Sequence, residues 1–150
     1  MRRVLLVAVV LLLAMQLVPV ARTGGPGAVD RLDAPDQVAE ALRLACYDCH
    51  SQATVWPWYS RIAPVSWLVA HDVVEGREHL DFSTWDVLGP RRKAKLLGEI
   101  AKDVEEGEMP LLLYRLAHPE ARLDEATRHA MVTWARSAQD ALQRTIPTSR

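Results

Sequence analysis

The sequence predicts an all-α domain of four to five short helices behind an N-terminal apolar helix. Three observations carry that reading. Apolar residues recur at helical spacing in four separate stretches, no stretch alternates apolar and polar residues over a useful length, and Val4 to Val20 runs apolar with only Gln16 and Pro19 interrupting. A chain of 150 residues has room for one core. Hydrophobic content of 49% and charged content of 25% are ordinary for a globular chain. A net charge of −1, without a basic run or a Gly-rich phosphate loop, gives no reason to expect nucleic acid.

The elements follow in order. Arg2 and Arg3 form a basic n-region ahead of the 17-residue apolar run, which sits at the lower limit for a spanning helix. Residues 1–21 are therefore expected to be a signal anchor, or alternatively a cleaved signal peptide. The arginines would stay in the cytoplasm by the positive-inside rule. That places the rest of the chain on the periplasmic face of a bacterial inner membrane, or free in the periplasm after cleavage. Residues 22–33, rich in Gly and Pro, read as a flexible tether. The domain itself spans 34–144, and 145–150 reads as a disordered tail.

Within the domain, Val38, Ala41, Leu42 and Ala45 share one helical face, with Pro35 in the first turn and Asp33 or Asp36 as cap. A second helix opens at Pro64 and closes near Gly76. Ser83 with Asp86 three residues on resembles a capping box. Leu97, Ile100, Ala101 and Val104 form the stripe of a third helix, which stops at Gly107 and Pro110. Met131, Trp134, Ala135, Ala138 and Leu142 form the stripe of a fourth, capped by Asp124. The links 51–63 and 108–122 read as irregular.

The first helix delivers "CYDCH", Cys46 to His50, which holds the only two cysteines of the chain. C-x-x-C-H is the attachment signature of c-type haem. Two thiols adding across the two porphyrin vinyl groups must lie a fixed few residues apart, and the histidine after the second is carried under the iron as proximal ligand. Other chemistries compete for the same residues. A redox dithiol would sit beside a βαβ pattern, and none is visible. A zinc site needs a second pair of ligands, and His71, His79, His118 and His129 form none. A disulfide across two residues would close too small a loop to stabilise much. Met109, in "EGEMPLLLY", is the expected sixth ligand of the iron, with His71 and His118 as alternates. It follows a helix, is stiffened by Pro110, and lies 59 residues after His50.

The stretch from Cys46 to Trp85, with "WPWYS" and "IAPVSW", then "EMPLLLYRLAHPEARLD" and a late tryptophan, resembles the bacterial haem-binding domain family of small membrane-anchored c-type cytochromes. The resemblance covers roughly residues 35–140. It implies covalent haem at Cys46 and Cys49 with His50 as proximal ligand, and it adds weight to Met109. Two positions depart from the family pattern: Gln52 and Asp81 each stand where Asn is expected. The layout is also similar to a small mono-haem cytochrome c, a cytochrome c-like bundle in which the two terminal helices cross. In that layout Tyr47, Trp56, Trp58, Tyr59 and Trp67 would wall the haem, and Arg61 or a Trp N–H would meet a propionate.

The expected function is single-electron transfer between redox partner proteins of the periplasm or membrane, by one haem c. A haem-based sensor or gas-binding protein would need a labile sixth ligand. A small peroxidase would need a distal acid–base pair, and none is evident.

Overall fold

The computed structural model describes residues 1–25 and 32–147. Among these residues the fold is all-helical and has no strands. The helices are α1 (Arg2–Met15), α2 (Asp36–Ala45), α3 (Tyr47–His50), α4 (Val65–His79), α5 (Pro90–Glu106), α6 (Leu112–Ala117) and α7 (Glu125–Thr145), with 3₁₀ turns at Trp58–Arg61, Phe82–Val87 and Pro119–Ala121.

α5 and α7 are the frame. Glu105 pairs with Arg136, and Gly98 faces Gln139, so the two run antiparallel. α2 lies against α7. Their stripes meet as expected from their periodicity. Val38, Leu42, Leu97, Ala101, Val104, Met131 and Ala135 are buried in one cluster with Phe82. Burying each large aliphatic side chain contributes about 1.5–3 kcal/mol. Gly107 takes φ +73° and stops α5, its N–H donating to Val104 and that of Glu108 to Asp103. Asp124 caps α7 by accepting from Thr127 N–H.

Several expectations need correction. α1 has 14 residues and ends at Met15, not Val20. At 1.5 Å per residue it is about 21 Å long, short of the roughly 30 Å hydrocarbon core of a bilayer. No helix of the described residues is long and apolar enough to cross a membrane. The helix stops where Gln16 turns its amide onto Ala63, donating to the carbonyl at 3.1 Å and accepting the N–H at 2.9 Å.

The described part of the tether is docked. Arg22 donates to Ser60 O, Arg77 donates to Thr23, and Gly25 N–H donates to Gln52 O. Gly24, at φ +81°, passes so close that a Cβ would stand 2.6 Å from Gln52 O. Tether residues 26–31 and tail residues 148–150 lie outside the described residues.

Pro35, not Asp33 or Asp36, occupies the N-cap of α2. Asp81, not Ser83, caps the Phe82–Val87 turn by accepting from Ser83 N–H. α4 continues past Gly76 to His79. The link 108–122 contains α6, which raises the helix count of the domain above four to five.

Candidate functional site

Cys46 sits at the joint between α2 and α3, and the single turn of α3 carries Cys49 and His50. One helical turn separates the two thiols, so both face the same side. α4 crosses α3 at Gly76, where a Cβ would stand 2.8 Å from the Cys49 carbonyl. Only glycine permits that approach.

Cys46, Cys49 and His50 line a cavity of about 790 Å³. Its apolar wall comes from Leu42, Ala45, Phe82, Leu96, Ile100 and Val104. Met109, Pro110, Leu111 and Tyr114 enter the lining from the segment after α5. The charged lining is divided: α4 supplies Asp72, Glu75 and Glu78, whereas α5 supplies Arg92, Lys95 and Lys102 together with Glu99 and Asp103.

The His50 ring is oriented by the backbone beside it. Nδ1 lies 3.0 Å from the Leu80 carbonyl, which can only accept. Nδ1 therefore carries the proton and Nε2 keeps its lone pair. Burial holds this imidazole below its ordinary pKa, so it is neutral at pH 7 and able to ligate a metal.

The two thiols are not joined to each other. Burial pushes each of them up to about 12, and the carboxylates of Asp48 and Asp72 add to the effect at Cys49. A dithiol poised for exchange sits in the opposite environment, where cations or a helix N-terminus lower its pKa. Among the described residues, no three His, Cys, Asp or Glu side chains converge as a zinc site would require.

Asp48, between the cysteines, ties α3 to its surroundings. It accepts from Val55 N–H and from the Tyr114 hydroxyl, each at 2.8 Å. Burial, then the Asp48 carboxylate, push the Tyr114 phenol upward, so it stays a protonated donor. Arg77 donates to Ser51 O at 2.8 Å and to Thr54 Oγ1 at 2.7 Å.

Of the residues singled out in the sequence, Cys46, Cys49, His50 and Met109 share the cavity lining. The others lie elsewhere. Trp58 is 75% exposed, and Arg61 is exposed beside it. Tyr59 is turned to His118, its hydroxyl 2.6 Å from Nε2, and His118 stacks on Tyr114. Trp67 is half-buried on α4, outside the lining. Tyr47 packs on Phe82 in the core cluster. His71 is exposed and faces Glu75, so neither His71 nor His118 lines the cavity.

The structure also adds participants. The Leu80 carbonyl has no side-chain identity and leaves no mark in a sequence. Gly76 was legible only as a helix stop. Tyr114 and Asp48, 66 residues apart, are joined by tertiary folding alone. The two departures from the family pattern meet each other: Gln52 donates to Asp81 at 2.9 Å.

An all-helical domain that presents two thiols and a neutral imidazole into one large, mostly apolar cavity is a cofactor-binding protein. The cofactor class follows from comparison. The haem-binding domain model matches residues 10–137, and the chain belongs to that family. No curated protein and no solved structure matches it. A haem fits the residues present: the cavity lies within the usual range for cofactor sites, its wall is apolar, and it holds an oriented nitrogen ligand.

Proposed function

We propose that the chain is an exported c-type cytochrome, a carrier of single electrons rather than an enzyme. Cys46 and Cys49 would hold one haem covalently, and His50 and Met109 would hold its iron. When bound, the haem supplies a one-electron ferrous–ferric couple. The observation that carries this reading is that Cys46, Cys49, His50 and Met109 line a single cavity, with His50 Nδ1 engaged by the Leu80 carbonyl. His50 is held in its ligating tautomer by Leu80. The apolar wall from α2 and α5 would shield a bound haem from water, and Met109 would supply the second side chain to its iron. The apolar α1 attaches the chain to lipid on the periplasmic side, where redox partner proteins exchange electrons with it.

The test is expression with the c-type maturation apparatus, followed by a pyridine haemochrome spectrum and a mass measurement. The expected mass is that of the chain plus one haem that acid does not extract. Extractable haem overturns covalent attachment. Met109→Ala is expected to abolish the far-red sulfur-to-iron band, raise the spin state and lower the potential, because a thioether favours ferrous iron. Carbon monoxide binding to the unmutated ferrous protein would replace electron carriage with the gas-binding reading.

A further inference from the structure

The acidic residues are unevenly placed. Residues 1–25 and 51–71 contain none of the 19 and carry Arg2, Arg3, Arg22 and Arg61. The two stretches are joined in space. Gln16, at the end of α1, exchanges two hydrogen bonds with Ala63, and Arg22 donates to Ser60 O. Around that junction a row of apolar side chains points outward at intervals of three or four residues. Trp58 is 75% exposed, Ile62 47%, Val65 42% and Leu68 47%. Arg61, next to Ile62, is exposed as well.

We infer that this face is a docking surface for the bilayer interface, so that the domain lies against the lipid in one orientation. The inference rests on the reading of α1 as lipid-attached. Three features select lipid as the occupant. α1 is apolar around its whole circumference and none of its side chains is buried, so its exit point marks where lipid must be. Trp58 and Arg61 are the residue types that settle at headgroup level. The stretches that meet at the junction supply Arg22 and Arg61 and no carboxylate of their own, which suits anionic headgroups, whereas the acidic remainder of the chain is repelled by them. The orientation has a consequence for the cavity. α4 begins at this face and lines the cavity from Asp72 onward. Val65 and Gly76 are separated by about 16 Å of helix, so the cavity lies within that distance of the docked end of α4.

Hydrogen exchange on the full chain, with and without vesicles of phosphatidylethanolamine and phosphatidylglycerol, tests this. Vesicles are expected to slow exchange severalfold in peptides spanning 53–62, and Ile62→Asp/Leu68→Asp to abolish that slowing while α5 exchanges as before. If the aspartates loosen α5, Val65→Ser/Leu68→Ser serves in their place. A chain that floats with vesicles but shows no slowing over 53–62 overturns the docking and leaves α1 attachment standing. A chain that does not float with vesicles overturns both. Slowing that follows protein concentration without lipid assigns the face to a second copy and also overturns lipid docking.

Discussion

Residues 51–63 and 108–122 are connections of similar length with opposite relations to the cavity. The first is a clasp. Its Ser51, Thr54 and Ser60 are buried and satisfied by nearby backbone, and Arg77 binds it to α4. None of its aromatic residues lines the cavity. The second is an arm. It carries few aromatics, but it places Met109 and Tyr114 in the cavity lining and leaves Leu112, Leu113 and Leu116 exposed. Richness in tryptophan is therefore no guide to closeness to a cofactor. In this chain the tryptophan-rich connection holds α3 from behind while the other faces the site.

Breaking the clasp should produce the largest loss of stability. Arg77→Ala removes the donor to Thr54 Oγ1 and leaves Ser51 O only the long 3.4 Å bond from Thr54 Oγ1, and is expected to cost about 2–3 kcal/mol in urea unfolding. A loss below half a kilocalorie would show that the clasp is ornamental. Gly76→Ala comes next. It forces a methyl group against the Cys49 backbone, at about 1–3 kcal/mol. Gly98→Ala is its control, because the methyl there meets only the flexible end of Gln139. The helix-propensity gain of up to about 1 kcal/mol should largely offset that contact. On the arm, Tyr114→Phe removes the bond to Asp48 and should cost about 1 kcal/mol in the same assay. The smallest effect belongs to Trp58→Ala, which should change stability by less than about 0.5 kcal/mol. Haem content measured by pyridine haemochrome should not move, and a fall in content would place Trp58 back at the site.

How far the sequence reaches depends on the range of the interaction involved. The faces of α2, α5 and α7 were legible because each alternates apolar and polar residues at helical period, and Met131 was correctly assigned to the core. α6 was not, because its apolar residues, in "LLYRLA", form no separate stripe and its leucines stay exposed, only Tyr114 reaching the cavity lining. The extension of α4 beyond Gly76 was hidden because glycine signals a stop locally, whereas its use here is a tertiary contact with Cys49. Chemistry and spacing single out "CYDCH" and Met109, and the fold gathers them around one cavity. Trp58, Tyr59, Arg61 and Trp67 follow from the layout of a small cytochrome c and from residue type, neither of which encodes direction, and they lie outside the lining.

The Gln52–Asp81 contact makes two distant positions depend unequally on each other. Asp81 accepts both from Gln52 and from Ser83 N–H, so one carboxylate fastens the chain on either side. Taking away the carboxylate strands two donors, one of them backbone, whereas taking away the amide leaves the carboxylate its second partner. Two positions 29 residues apart along the chain are one fastening in space, and the fastening is carried by the acid.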